Sequence, residues 1–100
     1  MHRATDVEKS VTRVRFTGVW TMDEFEPNKA MLAELESAAP ACVEYDLTNV
    51  PAINSAGIGM LILANDRFSK AGIAFQITGA TGAVAQILDV AKIRDLITIV

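Results

Sequence analysis

The sequence predicts an α/β domain, with a mixed central sheet of four to five strands and helices packed on it. Three observations predict it. Strand-like and helix-like stretches alternate along the whole chain, and in so short a chain that order favours helices lying on one shared sheet. The 100 residues make one domain, residues 1–100, because domains commonly run to roughly 100–150 residues. The composition, 51% hydrophobic and 21% charged, suits a packed core and not a disordered chain.

Each element follows from local pattern. A short strand among residues 3–9 opens the chain. "VTRVRFT", residues 11–17, alternates, with Val14 and Phe16 on one face and Val11, Arg13 and Arg15 on the other. Gly18 ends it. "TMDEFEPNKAMLAELESAA" then predicts a helix that Thr21 or Asp23 can cap, with acidic residues in its first turns, where the dipole favours them. Phe25, Met31, Leu32 and Leu35 recur at helical spacing, and Pro27 belongs in the first turn of a helix starting near Glu26. After Pro40, "ACVEYDL" predicts a strand with Val43, Tyr45 and Leu47 on one face. A helix follows from Ser55 to about Lys70. "AGIAFQIT" supplies a strand after a turn at Gly72, "TGAVAQILDV" a short helix with Val84, Ile87 and Leu88 on one face, and "LITIV" a terminal strand.

Composition narrows the function classes. The net charge is −3 and no dense Lys/Arg cluster supplies a phosphate-backbone footprint, so direct nucleic-acid binding is not expected. Cys42 and His2 are the only residues of their kinds. An intrachain disulfide is therefore impossible, the usual Cys/His zinc site is not available, and neither metal nor cofactor is expected. Cys42 is expected as a small buried hydrophobe and His2 as a solvated end residue. No secretory signal is visible, and the apolar run from Ala56 to Ala64 is about half of what a spanning helix needs. A soluble, cytoplasmic protein without membrane insertion is expected.

"DLTNVPAINSAGIGMLILAN", residues 46–65, carries the strongest signal. Gly57, Met60, Leu61, Ala64 and Phe68 form one core-facing stripe, yet Ile58, Ile62 and Leu63 fall outside it. Either further elements cover that second apolar surface, or it is an interface. At the helix start Asn54 or Ser55 can serve as N-cap. Ser55 as a nucleophile lacks support. The single histidine lies at the terminus, "NSAGIG" is not a G-x-S-x-G elbow, and no phosphate-cradling G-x-x-x-x-G-K-[ST] occurs. Phosphorylation fits the physics better, because a helix start tolerates the added charge while an apolar partner docked beside it does not.

The same stretch resembles the signature of the STAS family, specifically its bacterial anti-sigma factor antagonists. "DLTNV", then "PAI", then "NSAGIGMLIL" matches that family's strand end, short turn and apolar helix, and "FTGVWTMDEF" and "GAVAQILDVAKIRDLITI" extend the resemblance over nearly the whole chain. The resemblance implies a single STAS domain that is not an enzyme. It implies binding to an anti-sigma factor that is also a serine kinase, which phosphorylates the antagonist, and a cognate phosphatase that restores it. The phosphoacceptor position falls on Ser55. The partner-binding positions fall on Asn54, Ser55, Ala56, Gly57, Ile58, Gly59, Met60 and Leu63. Asp46 and Thr48 fall on the strand-end turn, as bracing residues. Two positions depart from the pattern: Asn54 replaces the usual acid before the serine, and Thr21 stands where many antagonists carry Asp. No counterpart of the terminal helix of longer members is expected after "LITIV", and a sheet edge is then expected to be less covered or paired with a partner. The alternative within the family is a STAS subunit docked on the ATPase of an ABC-type lipid transporter, with Ser55 mainly a cap.

Overall fold

The computed structural model describes residues 2–8, 11–20 and 22–100; Thr21, expected as a possible cap, lies outside them. The strands are β1 His2–Glu8, β2 Val11–Thr17, β3 Cys42–Asn49, β4 Ala74–Thr78 and β5 Thr98–Ile99. The helices are α1 Phe25–Ala38, α2 Ser55–Lys70 and α3 Gly82–Val90, with 3-10 turns at Met22–Glu24 and Ile93–Asp95. The sheet order is β1-β2-β3-β4-β5. β1 runs antiparallel to β2, and every later neighbour pair is parallel. This is the mixed α/β sheet that the alternation of elements predicts.

A strand order that never reverses, joined by the right-handed crossovers such units adopt, puts successive helices on one face of the sheet. Burial agrees. Val14 and Phe16 of β2, Val43, Tyr45 and Leu47 of β3 and Ile77 of β4 are all buried on the helix side. Phe16 packs edge-on against Trp20 at 4.7 Å and against Tyr45 at 4.9 Å, and Tyr45 meets Phe75 at 4.8 Å. An Arg67–Glu36 ion pair ties α2 to α1. The opposite face is polar. There Arg13 reaches across from β2, with its Nε and Nη2 donating to Glu44 Oε2 at 3.3 and 3.2 Å.

Three expectations are corrected. The Met22–Glu24 turn leads straight into α1, so its N-cap is Glu24 in helical conformation with no side-chain cap bond. Asp23 does not cap it; Asn28 Nδ2 instead donates to the Glu24 carbonyl at 2.8 Å, and Pro27 falls in the first turn as expected. The backbone of His2 pairs with Thr17 at the start of β1. Cys42 is half-buried, not fully enclosed; burial, with the nearby Glu44 carboxylate, raises its thiol pKa. The terminal strand shrinks to Thr98–Ile99, since the Ile97 N–H still donates to the Ile93 carbonyl at 2.8 Å and the chain leaves the 3-10 turn late.

Candidate functional site

The sheet's parallel strands deliver their C-terminal ends, and the loops that start the helices, to one edge. The loop into α2 is held there by the segment that follows β2. The Gly18 N–H donates to the Asn49 carbonyl at 3.2 Å, the Trp20 N–H to the Ala52 carbonyl at 3.3 Å, and Trp20 and Ile53 form a parallel bridge. Trp20 is 0% exposed. The first turn of α2 presses on this bridge at Gly57, where a Cβ would stand 3.0 Å from Ile53 Cβ and 3.3 Å from Trp20 Cβ. Glycine here allows a close approach of backbone to side chain. Trp20 and Ile53 were not singled out from sequence, because their pairing joins segments distant along the chain.

The choice of cap is settled by a hydrogen bond. Asn54 has extended backbone and its Oδ1 accepts from the Gly57 N–H at 3.1 Å, while its carbonyl accepts the first helical bond from the Ile58 N–H at 3.0 Å. Asn54 is the N-cap. Ser55 is the first helical residue, exposed, and its hydroxyl is not committed to capping. No acidic residue lies in the first turn, whereas Arg67 and Lys70 lie in the last, as the helix dipole favours.

The core stripe of α2 is the one expected: Gly57, Met60, Leu61, Ala64 and Phe68 are buried. Two of the expected partner-binding positions, Met60, 3% exposed, and Gly57, are buried and point into the domain. Asn54, Ser55 and Gly59 are exposed, and Ala56, Ile58 and Leu63 half-buried. At 100° per residue, Ser55, Gly59, Ile62 and Asp66 line the centre of the outward face. Ile58 flanks it on one side. Ala56 and Leu63 flank it on the α1 side, where Arg67 makes its ion pair. Ile62, 42% exposed, belongs to this surface although it was not among the expected partner-binding residues; its spacing of seven from Ser55 is the signal that finds it. No atom stands within 4 Å of where a Gly59 Cβ would be.

Asp46 and Thr48 brace the end of β3. Asp46 Oδ1 accepts from the Thr48 N–H at 2.9 Å and from its hydroxyl. Partial burial acts to raise the Asp46 pKa, but the two Thr48 hydrogen bonds and the charges of Arg15 and Arg13 outweigh it and hold the carboxyl below its usual value. Gly79, at φ +76°, packs its backbone against this turn so closely that any Cβ would collide with the Thr48 hydroxyl. Among the described residues no three His, Cys, Asp or Glu side chains gather as a metal site, and no helix is long and apolar enough to cross a membrane.

Residues 4–98 match the family described as "Mlab, STAS domain". Solved structures agree in fold. An anti-sigma factor antagonist from Mycobacterium paratuberculosis aligns with a TM-score of 0.87 at 14% identity, over 98% of this chain and 83% of that one. The anti-sigma factor antagonist SpoIIAA in its unphosphorylated form aligns at 0.75 and 10% identity, over 99% and 87%. The STAS domain of a SulP transporter from Vibrio cholerae aligns at 0.77 and 24% identity, over 92% and 71%. None of the curated proteins matches the chain by sequence.

Proposed function

This chain belongs to the STAS family, and from that premise we propose that it is a cytoplasmic anti-sigma factor antagonist whose α2 docks a serine-kinase anti-sigma factor. Phosphorylation of Ser55 by that kinase ends the docking, and a phosphatase restores it. The observation that carries this reading is the division of labour at the helix start. Asn54 makes the cap, so Ser55 stands exposed and spare beside an outward row of Ile58, Ile62 and Leu63.

The chemistry follows from that geometry. A phosphoserine brings a charge of about −1.5 to −2. The first helical N–H groups have no intrahelical acceptor, and the positive end of the dipole faces the same side. The domain itself therefore tolerates both forms of Ser55. A docked apolar partner does not, since it would bury the phosphate against Ile58 and Ile62 at a large desolvation cost. The protein acts as a regulatory surface and not as an enzyme. Asp46 and Thr48 act at one remove, by fixing the path of the loop that presents Asn54 and Ser55.

One observation favours the second reading, a STAS subunit docked on the ATPase of an ABC-type lipid transporter. Asn54 stands where the family pattern has an acid, so the residue directly before Ser55 supplies no carboxylate to assist recognition or phosphotransfer. The two readings separate in one experiment. Incubation with the cognate anti-sigma kinase and ATP, followed by mass measurement of the intact chain and its peptides, is expected to add one phosphate at Ser55 and to abolish the complex. Stable co-purification with an ATPase subunit, with Ser55 unmodified throughout, would instead favour the transporter role.

A further inference from the structure

Gly59 has no reason within this chain to be a glycine. It lies inside the regular helix α2, and the glycines with positive φ are Gly18, Gly72, Gly79 and Gly82. The residue is exposed, and no atom of the fold stands within 4 Å of where its Cβ would be. Glycine inside a helix costs stability relative to alanine. At Gly57 the close approach to Ile53 and Trp20 offsets that cost. At Gly59 nothing in the chain does.

The surroundings give the bare position a use. Residues i, i+3, i+4 and i+7 of a helix frame a hole of the kind that receives a side chain from a facing helix. On the outward side of α2 those residues are Ser55, Ile58, Gly59 and Ile62. Ile58 is half-buried and Ile62 is 42% exposed, so the hole has two apolar walls, a hydroxyl at one corner and a bare floor. Helical side chains lean toward the helix N-terminus, so a side chain at position 59 would lie back across the hole toward Ser55. The frame carries no charge, and the first charged residue of α2 is Asp66, a turn beyond Ile62. Such a hole suits one large apolar side chain, of the leucine, methionine or phenylalanine class, and no charged one. We infer that Gly59 is the floor of a docking hole that admits a large apolar side chain from a helix of the partner and sets how closely that helix approaches α2. The inference rests on the docking proposed for α2, and it gives the proposed switch a place. A phosphate on Ser55 stands at the corner of the same hole, so the charge and the apolar side chain compete for one space.

The test separates binding from stability. Full chains carrying Gly59→Ala, Gly59→Leu or Ile62→Glu are melted beside the parent. Each is then titrated by calorimetry with the cognate anti-sigma kinase, without hydrolysable ATP so that Ser55 stays unmodified. Gly59→Ala is expected to melt higher than the parent and yet to bind about tenfold more weakly, the order of effect that one added methyl has in a close-packed contact. Gly59→Leu should stay folded and lose binding. A glycine needed only for the fold cannot give that pair of results, because its replacement would lower the melt. Parent-like binding by both Gly59 chains, with binding lost in Ile62→Glu, would overturn the hole and leave docking on α2 standing. Parent-like binding by all three chains would overturn both. A lower melt for Gly59→Ala would show that the chain itself fills the position, and it too would overturn the inference.

Discussion

Gly57 and Gly59, two positions apart on α2, are glycine for opposite reasons. At Gly57 a Cβ would press on Ile53 and Trp20 at 3.0 and 3.3 Å, whereas at Gly59 it would meet nothing within 4 Å. Gly57→Ala is expected to destabilise the fold by about 1–3 kcal/mol, the usual range for overpacking. Gly59→Ala is expected to stabilise it by about 0.5–1 kcal/mol, as for glycine in a helix interior. Thermal melts of the two variants decide it, and equal shifts in one direction would refute the assignment. The cap divides likewise. Asn54→Ala should cost about 1 kcal/mol, and Ser55→Ala should stay within about 0.5 kcal/mol. At Asp46 the sign is set by linkage. A carboxylate held below its usual value adds stability above the unfolded value, and that stability is lost as pH falls through the folded one. The stability difference between the parent and Asp46→Asn should therefore be full at neutral pH and shrink as pH drops below about 4, which denaturant melts across that range would report. A difference that grows on acidification would contradict the Thr48 and arginine interactions assigned to Asp46.

On the scale of the element, α2 separates a buried face from the outward face that the proposed docking uses. Met60 is 3% exposed and Ile62 is 42% exposed. Met60→Ala should lower stability by about 2–5 kcal/mol. Ile62→Glu should leave the melt nearly unchanged while abolishing anti-sigma factor binding in a pull-down or calorimetric titration. An Ile62→Glu chain that binds normally would remove this face from the proposed interface. Both ends of α2 and its core stripe were legible in the sequence, because spacing and cap chemistry are local. The choice between Asn54 and Ser55 was not, since both are good cap residues and a single hydrogen bond to the Gly57 N–H decides it. Met60 was ambiguous for a related reason. It sits at the margin of the stripe, and only packing against the sheet shows on which side it falls. The turn before β5 was missed because "LITIV" has strand composition while the helical bond from Ile97 to Ile93 overrides it. The pairing of Arg13 with Glu44 rests on the parallel register of β2 and β3, which no local pattern encodes.

The whole molecule has a radius of gyration of 12.3 Å, close to the roughly 13 Å expected for 100 residues, and its stability is distributed unevenly across the sheet. β3 is central, paired on both sides over residues 42–46. Its inward residues Val43, Tyr45 and Leu47 are at most 1% exposed. β5 is held by the pairs Gln76–Thr98 and Ile77–Ile99 and by the Val100 N–H bond to the Ile77 carbonyl at 2.9 Å. Beside it Val90, Leu96 and Val100 are exposed at 77%, 57% and 66%. Opening β5 therefore breaks few bonds and uncovers only Ile99 and its neighbour Ile97, while opening β3 requires the sheet and the helix layer to come apart. Amides of β3 are expected to exchange with solvent only through global unfolding, and those of β5 through a cheaper local opening. In native-state exchange, denaturant should accelerate β3 amides with the full dependence of global unfolding, and β5 amides with little dependence until the two converge near the midpoint. Equal protection in β3 and β5 would mean that another surface covers Val90, Leu96 and Val100 in solution, and a matching loss of exposure at those residues would identify it.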